Sequence, residues 1–168
     1  MGFVKAGNLP MVHGLVNHFN LGQSAILIRG CTDEFTYGKG AGAKKASMAA
    51  WNPLLVAVAS KKLDIVKYFL NDLQIAIVSA GRAPDGSLDA RFILQVAAYT
   101  QDAAILGELW AGSQNQHWTA DHLKWVIRVL LAEAKWPAGF DLLLRASTKN
   151  PAPFAVTEAI FTSFTALE

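Results

Sequence analysis

The chain has 168 residues, 52% of them hydrophobic, and a formal net charge of +2. That balance excludes a disordered segment, and because no stretch gathers enough Lys and Arg to track a phosphate backbone, nucleic acid is not expected as a partner. A single cysteine, Cys31, excludes an internal disulfide framework and suits a reducing, cytoplasmic setting, while the apolar runs are too short for a signal peptide or a bilayer span, so no membrane partner is expected.

In chain order, the first periodic segment is KAGNLPMVHGLV, where a Gly7-Asn8 turn precedes Leu9, Met11-Val12 and Leu15-Val16. Residues 20–50 follow as a long interruption, with a short strand expected over Ala25 to Arg29 and a Gly-rich stretch from Gly38 to Gly42. It reads either as a long finger or as a loop plus a short helix over Ala43 to Ala50. The stretch WNPLLVAVASKKLDIVKYFL, Trp51 to Leu70, is the clearest element. Pro53 fixes the first turn of a helix, Ser60 to Lys62 break the apolar run, and Leu63, Ile65-Val66 and Phe69-Leu70 give a second helix. Neither helix of this helix-turn-helix unit can bury its face alone.

Around Ser79 to Ser87, Pro84-Asp85-Gly86 is a turn signal, proline presetting φ and glycine accepting positive φ. Next, AAYTQDAAILGELW has small Ala97-Ala98, a turn at Gln101-Asp102 with Asp102 as a helix N-cap, then Ile105-Leu106 and Leu109-Trp110. After the polar run 112–116, Thr119 is a second N-cap, for a helix carrying Leu123, Val126, Ile127 and Leu130; Trp136 to Gly139 then lead into Leu142-Leu143. The C-terminal PFAVTEAIFTSFTALE reads as one more helix, apolar at Phe154, Val156, Ile160, Phe161 and Phe164.

These units recur. Met11 and Ile65 are 54 positions apart, Ile65 and Ile105 are 40 apart, and Ile105 and Ala138 are 33 apart. The residues of the clearest copy, Pro53-Leu54, Ala57, Leu63, Asp64, Ile65-Val66-Lys67 and Leu70, resemble the ankyrin repeat, whose consensus runs TPLHLAAxxGHLEIVKLLL and whose period is about 33. Asn52 and Leu55 replace the consensus threonine and histidine, and Ile93 and Val126 stand where later copies would carry the proline. The fold expected is all-α: an ankyrin-like helical solenoid of about four helix-turn-helix repeats in one domain over 1–168. The repeats lie near 1–19, 51–73, 89–111 and 119–147, with an insertion at 20–50 and a terminal helix at 152–168. Phe3-Val4 fall where Ala57-Val58 do, which leaves little chain for the first inner helix; a half-repeat cap and a fragment of a longer array both stay open.

The ankyrin resemblance implies a non-catalytic module that binds a protein partner through hairpin tips and the concave inner-helix face. Aligned on the repeat, the exposed inner positions are Ala59-Ser60, Tyr99-Thr100 and Ala132-Glu133, and the tips lie near Asp33-Glu34, Arg82 to Asp85 and Gln114 to Gln116. Trp51, which like Trp118 sits just before a helix where tryptophan suits an interface, joins Asp33, Glu34, Ser60, Arg82, Asp85, Tyr99, Thr100, Gln114 and Gln116 as the partner-binding candidates. Trp110, Trp125 and Trp136 lie at apolar positions that suit core packing. The apolar ends of the stack make self-association a further expectation.

Other chemistry has weaker support. GKGAGAKKAS lacks the glycine-lysine-Ser/Thr ending of a phosphate loop and the acidic residue of a dinucleotide fingerprint. His13 and His18, like His117 and His122, are five apart and off a shared helix face, so no metal or cofactor is expected. Asp33 and Glu34 beside Cys31 would raise its thiol pKa, the wrong direction for a nucleophile. Two alternatives remain: an enzyme or ligand-binding site built by the 20–50 insertion with Cys31 or Lys39, and an interior scaffold segment of a larger repeat protein.

Overall fold

A computed structural model describes residues 2–21, 35–37, 44–46, 52–75, 90–112 and 126–149. The described chain is mostly helical: α1 (Gly2–Ala6), α2 (Leu9–His18), α3 (Pro53–Ala59), α4 (Leu63–Lys67), α5 (Ala90–Thr100), α6 (Ala103–Gly112) and α7 (Pro137–Lys149). Two π-helical turns, Tyr68–Asp72 and Val129–Glu133, continue helical segments. A small antiparallel ribbon, β1 (Phe35–Tyr37) with β2 (Lys44–Ala46), pairs Phe35 with Ala46 and Tyr37 with Lys44. A strand at 44–46 therefore replaces the helix that was one of two readings of Ala43 to Ala50. The pairing of two segments around the Gly-rich stretch favours the finger reading.

Each helical unit is built by the same local chemistry. Asn52 lies in extended backbone and its Oδ1 accepts from Leu55 N–H at 2.9 Å, closing the start of α3, where Pro53 needs no donor. Asn8 caps α2 through Met11 N–H at 3.1 Å, and Asp102 Oδ1 accepts from Ala104 and Ile105 N–H, each at 3.1 Å, as the sequence predicts. Between paired helices the backbone passes through the left-handed region, at Gly7 (φ 79°), Lys61 (φ 56°), Gln101 (φ 51°) and Lys135 (φ 49°). In the first two turns the next N–H reaches back five residues, Asn8 to Phe3 and Lys62 to Ala57, each at 2.9 Å, which satisfies carbonyls at the helix end.

The fourth turn is wider. Trp136 N–H reaches Leu130 O, six residues back, at 2.7 Å, at the end of the Val129–Glu133 π turn. One extra residue is accommodated there, so Gln101 and Lys135 are 34 positions apart while Ala97 and Leu130 keep the 33-residue spacing. The fourth outer helix consequently sits one residue out of the register expected from sequence. Leu143, not Leu142, is the buried counterpart of Leu109.

The four hairpins stack in two rows. α1, α3, α5 and the Val129–Glu133 turn form an inner row, each against the next; α2, α4, α6 and α7 form the outer row, each against its neighbour and its own inner partner. α3 is the centre, with Leu54 to Val58 all at 0% exposure because it is enclosed by α1, α4 and α5. Such a helix can be apolar all round. The outer row contributes Ile65, Val66, Phe69, Ile105, Leu106 and Leu109 to the same core. Complete burial of one such side chain is worth roughly 1.5–3 kcal/mol, which gives each short helix the tertiary support it lacks alone.

The expected strand at 25–29, the turn at 79–87, the Thr119 cap with Leu123, and the terminal helix at 152–168 lie outside the described residues.

Candidate partner-binding surface

The inner row carries the described residues of the candidate surface. α3 and α5 lie beside β1, so the ribbon of the 20–50 insertion and the inner helices form one neighbourhood. Ser60, at the C-terminus of α3, is half-buried, and Lys61 beside it is exposed. On the Val129–Glu133 turn, Ala132 is exposed and Glu133 half-buried.

Tyr99 and Thr100 differ from the exposure expected of them: they are 5% and 3% exposed. Tyr99 replaces the smaller Ala59 of the preceding copy, and its ring is taken into the core while its hydroxyl donates to Glu133 Oε2 at 2.7 Å. Thr100 turns its hydroxyl to Ala97 O at 2.7 Å, satisfying the polar group inside the fold. Alignment to a repeat places a residue on a helix but not its side chain's depth, and a large aromatic in a small residue's place settles inward. Both residues support the surface from beneath.

A polar seam joins the third and fourth hairpins. Gln95 Nε2 donates to Glu133 Oε2 at 3.4 Å, alongside Tyr99, and Gln101 Nε2 donates to Ala134 O at 2.9 Å across the two turns. No sequence signal groups Gln95 with Gln101 and Glu133. Their spacing matches no motif, and the packing of the third hairpin on the fourth brings them together.

Asp33, Glu34, Trp51, Arg82, Asp85, Gln114 and Gln116 lie outside the described residues, as do Cys31, Lys39, His117, His122, Trp118 and Trp125. Trp110 is 4% exposed and Trp136 packs at the core's edge, the positions expected for core tryptophans. Exposed His13 has its ring centroid 5.3 Å from that of Tyr68, and Asn17 Nδ2 lies 3.2 Å from His13 Nδ1. Burial, helped by the carboxylate of Asp72, raises the Tyr68 pKa above its ordinary value. On the outer row Lys67 Nζ lies 3.4 Å from Glu108 Oε1, a solvated pair worth about 0–1 kcal/mol.

Among the described residues no group of three or more His, Cys, Asp or Glu could hold a metal ion, and no helix is long and apolar enough to cross a membrane. No protein-family model, curated protein or solved structure matches the chain.

Proposed function

We propose that the chain is a non-catalytic protein-interaction domain of ankyrin-like helical hairpins, binding a protein partner through the inner row and the ribbon beside it. One observation carries the reading. The sequence of inner helix, left-handed turn residue and outer helix recurs at Gly7, Lys61, Gln101 and Lys135, with the inner helices aligned in one row. Stacked hairpins of this kind offer an extended surface whose shape is fixed by the core and whose edge residues are free to vary. The 20–50 insertion adds a strand against two of those helices.

The test is hydrogen–deuterium exchange on the chain with a partner isolated by affinity capture. Slowed exchange on binding, concentrated in residues 57–62 and 97–102 and in the ribbon, supports the reading. Slowing confined to α4 and α6 of the outer row contradicts it.

A further inference from the structure

Val96, Ala97, Ala98, Tyr99 and Thr100 follow one another on α5, and none is more than 5% exposed. At about 100° per residue they look out in every direction around the helix, so no side of this part of α5 is open. Three sides are taken by helical neighbours: α3 and the Val129–Glu133 turn flank it in the inner row, and α6 lies outside it. The remaining side is the inner one, where alignment on the repeat places Tyr99 and Thr100. Closure there does not come with the repeat, because Ala132, the counterpart of Tyr99 on the fourth hairpin, is exposed.

One more described element lies against α5, the strand β1. It also lies against α3, whose Leu54 to Val58 are closed in the same way.

We propose that the β1–β2 ribbon is a strap across the inner side of the second and third hairpins, and that it lifts while the helical stack stays folded. Two observations favour a strap over a permanent layer of the core. Each strand has 3 residues, and a two-stranded ribbon of that size is marginal on its own, so its order depends on packing against the helices. Beneath it, the Tyr99 and Thr100 hydroxyls donate to Glu133 Oε2 and Ala97 O inside the stack, so lifting the ribbon breaks neither bond and strands neither donor. An element held in this way opens locally at less cost than the whole fold. The strap is a property of the free chain and is independent of the proposed partner.

Thiol labelling by dithionitrobenzoate, in the full chain carrying Cys31→Ser, tests it with no partner present. Thr100→Cys reports on the inner side of α5, and Val66→Cys, at a position of 0% exposure in α4, reports on opening of the core. In native buffer Thr100→Cys should react roughly tenfold faster or more. Thr36 pairs with Lys45 in the ribbon, and Thr36→Pro with Lys45→Pro disrupts that pairing. The proline pair should raise the Thr100→Cys rate about another tenfold and change the Val66→Cys rate by less than about twofold. Equal rates at the two positions would overturn the proposal, because the ribbon would then leave only when the whole chain unfolds. An unchanged Thr100→Cys rate in the proline variant would overturn it as well. The first comparison leaves the ribbon intact, so it decides even where the proline variant does not fold.

Discussion

The hydroxyl of Tyr99 donates to Glu133 Oε2 at 2.7 Å, joining the inner helix of the third hairpin to the π turn of the fourth. This link compensates for putting a tyrosine where the preceding copy has Ala59, since a buried phenol without an acceptor costs about 1–3 kcal/mol. Tyr99→Phe should destabilise the chain by about 1.5–3 kcal/mol, the range for a hydrogen bond to a charged group. Urea denaturation at neutral pH measures it, and a larger loss is expected for Glu133→Ala, which removes the acceptor of both Tyr99 and Gln95.

Lys61 holds a left-handed conformation at φ 56°, where the first copy has Gly7 at φ 79°. A β-carbon there is strained by roughly 1–2 kcal/mol, and glycine's greater freedom in the unfolded chain offsets part of the gain. Lys61→Gly should therefore raise stability by about 0.5–1 kcal/mol, and Gly7→Ala should lower it by a similar amount. Thermal melts of both variants beside wild type show the opposite signs directly.

Asn52 is 2% exposed and caps the most buried helix of the fold. Asn52→Ala should cost about 1–2 kcal/mol, the upper part of the range for N-caps, whereas Asn52→Thr, which can restore the bond and is the residue of the ankyrin consensus, should recover most of it. Chemical denaturation of the pair separates loss of the cap from loss of side-chain volume.

Two glycines predict opposite outcomes. A β-carbon on Gly14 meets nothing within 4 Å, so Gly14→Ala in α2 should stabilise by up to about 1 kcal/mol through helix propensity. On Gly139 the added carbon falls on the indole ring of Trp136, and Gly139→Ala should destabilise by about 1–3 kcal/mol. Equal shifts in denaturation midpoint would contradict the packing of the fourth turn.

The raised Tyr68 pKa has an alkaline consequence. The unfolded chain loses the phenolic proton first, so the contribution is fully present below the ordinary tyrosine value of 10.0 and is lost as pH rises through the folded value. Tyr68→Phe should reduce the fall in stability above that pH, read from urea midpoints taken across pH 9 to about 11.

Much of the helical architecture was legible because it rests on local signals. Pro53 and Asp102 announce helix starts, and the apolar pairs Ile65-Val66 and Ile105-Leu106 announce the face each outer helix buries. Three features were not legible, each for a reason of its own. The Lys44–Ala46 strand is a short polar segment whose partner lies across a Gly-rich stretch, so no periodicity marks it. The widened turn before Lys135 inserts its residue without a proline or glycine to signal it, and glutamine and lysine in left-handed turns look like ordinary surface residues. The depth of Tyr99 depends on a tertiary partner 34 residues away. Of the candidate residues that the structure describes, Ser60 is half-buried and Tyr99 and Thr100 are buried, so alignment to a repeat does not set side-chain exposure.

The inner row is the proposed recognition surface for a protein partner. Its most direct measurement is the affinity of a captured partner for two double variants. Ser60→Arg with Ala132→Arg places bulk on half-exposed and exposed inner-row positions; Lys67→Ala with Glu108→Ala removes the outer-row ion pair. At least a tenfold loss of affinity, about 1.4 kcal/mol, is expected for the inner pair and less than twofold for the outer pair, with both folds intact by circular dichroism. Unchanged affinity in the inner pair, or an equal loss in the outer one, would contradict it.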